Sequence, residues 1–266
     1  MTAQSMPEKA SGLLLDIDGV LHVGDEPLPG AAEALERLTE TGLAVRFITN
    51  TSTRTPEALG ERLRSMGLPV ADAAIFSAVS AARRHLERSG AKRIWPVVGD
   101  GIRPVFTDWA IDTAAPDCVL IGDIGPSWDH KLLERIFAAL MQGAELVALH
   151  RNRFWQTGKG LRLDIGAYVA ALESATGLSA TVVGKPDPAF FALAAADFEC
   201  PPAEVVVAGD DIDSDVGGAQ AAGMQGLLVQ TGKYRPDFVA RSPVNPDGVI
   251  ASIAELPAWL AGDTRA

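Results

Sequence analysis

Asp16-Ile17-Asp18-Gly19-Val20 sets two carboxylates at i and i+2 with a glycine behind them. Alternation along an extended backbone puts both on one side, close enough to share a cation. A solvated turn would explain either carboxylate alone; the pair with its glycine is harder to dismiss. Farther along, Gly209-Asp210-Asp211-Ile212-Asp213-Ser214-Asp215 packs four carboxylates into six residues. Such groups repel one another strongly unless cations intervene. An oxygen-rich site for a hard divalent ion is the natural explanation, and retained waters favour Mg²⁺. A calcium EF-hand loop fails as an alternative: begun at Asp211, it puts Val216 where glycine is needed and Ala222 where the bidentate Glu is needed.

Two neutral or cationic clusters complement these acids. Thr49-Asn50-Thr51 offers hydroxyl, amide and backbone N–H groups that can cradle phosphate oxygens. By itself the cluster is weak, because Thr and Asn are common loop and capping residues. Gly184-Lys185-Pro186 holds a lysine between rigid neighbours, a fixed positive charge suited to sit between a carboxylate and a phosphoryl group. A lone lysine is more often plain surface charge.

The elements that must position these clusters are legible in the periodicity. Short apolar runs alternate with longer segments of helical period, the pattern of parallel sheet with crossover helices. Gly12–Leu15, Leu43–Ile48, Thr181–Val183, Val205–Ala208 and Leu227–Val229 read as strands. Pro29-Gly30 opens a helix with Ala34, Leu35 and Leu38 on its apolar stripe and Gly42 at its end; Thr55-Pro56 opens another that Gly67 closes. Helices also follow Pro188 and Asp215. A second set of units lies between these outer parts, with strands at Arg93–Val98, Cys118–Ile121 and Leu146–Leu149 and helices at Ser77–Ser89, Trp128–Gln142 and Ile165–Thr176. Each of the four polar clusters follows an apolar run, where open parallel sheets bind ligands.

Composition narrows the classes. The 266 residues suit one large domain or two modest ones, and 47% hydrophobic with 21% charged is an ordinary globular balance. The formal charge of −11 supplies no basic footprint for nucleic acid, so an anionic substrate must be drawn in by a local site. No apolar run approaches the about 18 residues of a membrane span. Met1–Gly12 does not read as a secretory leader, and Cys118 and Cys200 give neither a disulfide framework nor metal-ligand spacing. The expected setting is cytoplasmic. A dinucleotide site would need GxGxxG after a strand, and Gly99-Asp100-Gly101 does not supply it.

The order of the four clusters is more specific than any of them. The arrangement strand–DxDGV, strand–TN, strand–GKP, strand–GDDxxxD resembles the haloacid dehalogenase (HAD) superfamily of phosphohydrolases over nearly the whole chain. Gly19–Leu28 is similar to the family's turn and flap, and Gly217-Gly218-Ala219-Gln220 and Thr231-Gly232-Lys233-Tyr234 to its later segments. Asp18 and Thr49 are 31 residues apart, which leaves no room for a cap domain, whereas 135 separate Asn50 from Lys185. A cap inserted there resembles the NagD-like class IIA members. Arg153-Phe154-Trp155 through Gly160-Leu161, Asp164-Ile165-Gly166 and Tyr168 are similar to the cap segment of the phospholysine phosphohistidine inorganic pyrophosphate phosphatases. The resemblance implies an α/β fold: a Rossmann-like core with parallel sheet at 1–77 and 182–266, and an inserted α/β cap at 78–181.

It also implies roles. Asp16 is the expected nucleophile, forming an aspartyl-phosphate, and Asp18 the acid and base. Mg²⁺ is expected on the side chains of Asp16 and Asp210 and the carbonyl of Asp18, with Asp215 and Asp211 orienting its waters. Thr49, Asn50 and Thr51 would hold the phosphoryl group and Lys185 would neutralise charge on it. Arg153, Phe154 and Trp155 are expected to meet the leaving group, although aromatics at such positions are often core. His22 could brush the site from the flap, and His150 ends a cap strand beside this segment; His85 and His130 read as surface or packing residues. A haloalkanoate dehalogenase needs no acid for a halide, so Asp18 favours phosphate-ester or phosphoramide cleavage. The expected activity is therefore a Mg²⁺-dependent phosphatase for a small phosphorylated metabolite, with no nucleic-acid or membrane partner and a homodimer through the cap. Two alternatives stand beside it: a pyrophosphatase or phosphoamidase on the same core, and a catalytically idle binding protein. The latter predicts loss of Asp16, Asp18, Lys185 or Asp210, and all four are present.

Overall fold

The computed structural model of the protein describes residues 10–157 and 160–262; of 155–157, 160 and 161 it describes the backbone. Among the described residues the chain forms two compact units, one from 10–49, 56–76 and 185–262, the other from 50–55 and 77–184. The first strands are β1 (Gly12–Asp16), the short pair β2 (His22–Val23) and β3 (Glu26–Pro27), β4 (Ala44–Thr49) and β5 (Ile75–Ser77). Next come β6 (Arg93–Val97), β7 (Ala110–Ile111), β8 (Cys118–Ile121), β9 (Glu145–Ala148), the hairpin β10 (Phe154–Thr157) and β11 (Gly160–Leu163), and β12 (Thr181–Val182). β13 (Val205–Gly209), β14 (Gln225–Val229) and β15 (Gly248–Ile250) complete the set.

The first unit is built on a six-stranded sheet in the order β15-β14-β13-β1-β4-β5. β1 lies inside it, parallel to both neighbours. Its leucines, Leu13, Leu14 and Leu15, are fully buried, as expected of a strand covered on both faces. Each contributes about 1.5–3 kcal/mol of hydrophobic burial, which anchors the strand whose last residue is Asp16. Helix α1 (Ala31–Glu40) turns Ala31, Ala34, Leu35 and Leu38 inward, and α2 (Pro56–Ser65) turns Leu59 and Leu63 inward. These side chains join Leu13, Leu15, Val206, Ala208 and Leu227 in one core.

The parallel register decides where the site lies. Asp16 is level with Ile48 of β4, and Leu15 with Ala208 of β13. The carboxyl ends of β1, β4 and β13 therefore share one edge, and Asp16, Thr49 and Asp210 sit on or just beyond it. Crossover topology makes that edge the binding edge of an open parallel sheet.

The second unit has its own five-stranded sheet, β12-β9-β8-β6-β7, all parallel. Helices α3 (Ala78–Ser89), α4 (His130–Met141) and α5 (Ile165–Thr176) belong to it. Each begins where a polar residue meets an orphan N–H: Ser77 forms a capping box with Ser80, Asp129 accepts from Leu132, and Asp164 accepts from Ile165. One strand departs from the sequence reading. Thr181–Val182 was expected with the outer set, but it pairs with β9 at the edge of the second sheet. Periodicity identifies a strand, whereas its sheet depends on a partner over 30 residues away.

Candidate active site

Three carboxylates meet at the binding edge of the first unit. Asp16, Asp210 and Asp215 are each at most 2% exposed, and each offers an oxygen within 4.8 Å of the others. Asp16 ends β1 and Asp210 follows β13. Asp215 comes from a wide helical turn, Ile212–Gly217, that leads into a short helix at Gly218–Ala221. Asp211 caps the wide turn, its carboxylate accepting from the N–H groups of Asp213 and Ser214. Asp215, expected to orient the metal waters, lies beside Asp16 and Asp210 in this cluster.

Lys185 lies in the middle of this negative charge. Its Nζ donates to Asp16 Oδ1 and to Asp215 Oδ1, both at 2.6 Å, and the residue is 4% exposed. Burial alone would lower the lysine's pKa, but Asp16 and Asp215 outweigh it and hold the ammonium well above its ordinary range. Asp16 is pushed well above the usual carboxylate range by burial, then by Asp215, with Lys185 opposing. Asp210 rises to about 7, again from burial first and Asp215 second. Three buried carboxylates, with the Lys185 ammonium between two of them and that of Lys233 nearby, still leave excess negative charge, which calls for protons or a further cation.

The cluster fits such a cation. Asp210 Oδ1 is buried and has no hydrogen-bond partner among the described residues, while Asp210 Oδ2 accepts from the Lys233 N–H at 2.6 Å. An orphaned, buried carboxylate oxygen beside two other carboxylates is the donor set of a hard divalent ion.

Asp18 lies two residues on and accepts from the Thr49 hydroxyl at 3.0 Å. His22 is buried behind it. Its Nδ1 lies 3.0 Å from the Gly24 carbonyl, and its Nε2 lies 3.7 Å from Asp18 Oδ1 with no hydrogen-bond partner among the described residues. Burial lowers the His22 pKa against the pull of Asp18. The flap therefore brings His22 close to Asp18.

The other sequence candidates lie in the second unit. Asn50 and Thr51 follow Thr49 directly but are grouped there. His150 is 3% exposed, and its Nε2 is 3.3 Å from the Ser52 hydroxyl and 3.9 Å from Asp164. It ties the 50–55 segment to that unit. Arg153 is exposed, Phe154 is 39% exposed on β10, and the Trp155 side chain lies outside the described residues. Tyr168 stacks on Trp128 at 4.3 Å. Sequence reasoning noted Thr231-Gly232-Lys233 without giving it a role. The glycine between two polar residues was the available signal.

Comparison with known proteins agrees with this architecture. A sequence model described as haloacid dehalogenase-like hydrolase matches residues 13–111, and a second, HAD-hydrolase-like, matches 182–256. The chain is 43% identical over 225 residues to haloacid dehalogenase-like hydrolase domain-containing protein 2 of Bos taurus, covering 84% of this chain and 85% of that protein. It is 39% identical over 250 residues to the phospholysine phosphohistidine inorganic pyrophosphate phosphatase of Bos taurus, with 92% of each covered. Among solved structures, 4-nitrophenylphosphatase of Thermotoga maritima superposes with a TM-score of 0.87 at 29% identity, covering 94% of this chain and 97% of that one. NagD of E. coli superposes with a TM-score of 0.83 at 27% identity, covering 93% and 98%. With its parallel α/β core, its buried Asp–Lys–Asp cluster and matches spanning most of its length, the chain belongs to the haloacid dehalogenase-like hydrolase family.

Proposed function

We propose that the protein is a Mg²⁺-dependent phosphatase acting on a small phosphorylated compound through an aspartyl-phosphate intermediate. The observation that carries this reading is the buried cluster of Asp16, Asp210 and Asp215 with Lys185 bonded between Asp16 and Asp215. Asp16 attacks phosphorus, the bond to the leaving oxygen breaks, and Asp18 gives that oxygen its proton. Asp18 then takes a proton from water, which attacks the same phosphorus, releasing phosphate and freeing Asp16. Thr49 supports this exchange by donating to Asp18, which holds the carboxyl in place while it changes protonation state.

Lys185 offsets the charge of the nucleophile and of the phosphoryl oxygens that approach it. Asp16 and Asp210 by their side chains, and Asp18 by its carbonyl, would hold Mg²⁺, with Asp215 beside them. That ion would supply positive charge to the phosphoryl oxygens. Asn50 and Thr51 retain the role of phosphate cradle that their residue types suggest, and Arg153, Phe154 and Trp155 that of leaving-group contacts. Residues 77–184 correspond to the family's inserted cap.

A second reading, cleavage of pyrophosphate or of phosphoramides, is favoured by the 39% identity to a phosphatase named for phospholysine, phosphohistidine and pyrophosphate. The test of the first is hydrolysis of p-nitrophenyl phosphate by the purified chain in Mg²⁺. Turnover is expected, and excess EDTA is expected to abolish it. Full activity in EDTA would sink the metal assignment, and no turnover on any phosphorylated compound across a metabolite panel would sink the phosphatase. Including pyrophosphate and phospholysine in the panel separates the two readings.

A further inference from the structure

The segment after β14 makes three contacts that the reading above leaves unused. Thr231 Oγ1 donates to the Gly19 carbonyl at 2.6 Å, and the Lys233 N–H donates to Asp210 Oδ2 at 2.6 Å. Between them lies Gly232, with φ +54°, facing Gly19, with φ +90°. A Cβ on either glycine would overlap Asp210 Oδ2 itself. A Cβ on Gly19 would also come within 3.0 Å of the Gly232 Cα. Only glycines allow both the left-handed backbone and this closeness.

We infer that Thr231-Gly232-Lys233 is a positioning clamp for Asp210, a role resting on the metal-dependent reading above. The clamp holds one carboxylate oxygen and leaves the other for the cation. With Oδ2 engaged by a backbone amide and walled by two glycines, the carboxylate cannot rotate or bind through both oxygens. Oδ1 is then the single atom it presents, and that atom is the buried, unpartnered one. The amide belongs to the main chain, so the clamp depends on the path of the loop rather than on the Lys233 side chain. The ammonium of Lys233 adds positive charge near Asp210, Asp16 and Asp215 and competes with a bound cation. The two parts of Lys233 therefore act in opposite directions on metal affinity.

Mg²⁺ binding to the EDTA-treated, full-length protein, measured by titration calorimetry without substrate, tests this. Gly232→Ala is expected to weaken Mg²⁺ by about 10- to 100-fold, the usual cost of losing a partner that orients a ligand. Thr231→Val, nearly isosteric, removes the bond to Gly19 and is expected to weaken it in the same direction; it replaces Gly232→Ala should that variant fail to give a native circular dichroism spectrum. Lys233→Ala keeps the amide and removes the ammonium, so it is expected to bind Mg²⁺ more tightly than wild type. Wild-type affinity in both Gly232→Ala and Thr231→Val overturns the clamp, and weaker binding in Lys233→Ala overturns the assignment to the backbone. Failure of the wild type itself to bind Mg²⁺ would instead remove the metal-dependent reading and the clamp with it.

Discussion

Asp16 and Asp210 are buried acids whose ionised forms need company. Asp16 has it in Lys185, whereas Asp210 keeps one oxygen unpaired. In the metal-free protein this makes stability depend on pH. An acid raised from 3.8 to about 7 binds a proton in the folded state that the unfolded chain has already lost. Stability therefore falls as pH rises from about 4 to about 7 and levels off above. Asp210→Asn removes the burden without changing shape, so in EDTA at pH 7.5 it is expected to melt several degrees above wild type, with the gap closing toward pH 4. A gap that persists at low pH would show that the acid is not protonated there. Asp16→Asn is expected to keep the fold and lose turnover, since an amide is a poor nucleophile and contributes no charge to the cation. Steady-state hydrolysis within about tenfold of wild type would contradict the covalent role.

The wide turn Ile212–Gly217 shows how one element serves both fold and site. Asp211 caps it through two backbone amides, and Asp215 on the same turn reaches Lys185. Burying Ile212 and Val216 against Leu228 gives the turn its seat on the sheet. Asp211→Ala is expected to cost about 1 kcal/mol, the ordinary loss of a helix cap, seen as a lower denaturation midpoint. Because both caps lie on one oxygen of a side chain engaged with the backbone, Mg²⁺ affinity is expected to change much less than in Gly232→Ala. Unchanged stability with a large loss of Mg²⁺ affinity would instead favour the water-orienting role that the family resemblance implies for Asp211.

Among the described residues two large sheets, each with its own strand order, carry the two units, beside the short pairs β2–β3 and β10–β11. The second unit carries, among the described residues, a sheet of five parallel strands, three helices and buried apolar side chains, including Ile94, Val119, Leu146 and Val169. A unit of this size with its own core can fold by itself. Residues 77–184, expressed alone, are expected to give an α/β circular dichroism spectrum and a cooperative thermal transition. A spectrum of unfolded chain would show that this sheet needs the rest of the protein.

Much of this was open to reading along the chain, for a physical reason. Asp16 and Asp18 follow a fully apolar strand within a few residues, as Asp210 and Asp215 follow another, so local backbone geometry alone carries each group to a strand end. The α/β class, the helices at Ala78–Ser89 and Ile165–Thr176 and the acid-rich loop were legible in the same way. Long-range packing decided the rest. Lys185 meets Asp16 across 169 residues and Asp215 across 30. Thr231 meets Gly19 across 212, and β12 joins β9 instead of the strands that carry Asp16 and Asp210. Nothing in local periodicity encodes these meetings. They follow from which strands pair and which loops close over them, and burial then gathers four separated polar groups into one charge cluster.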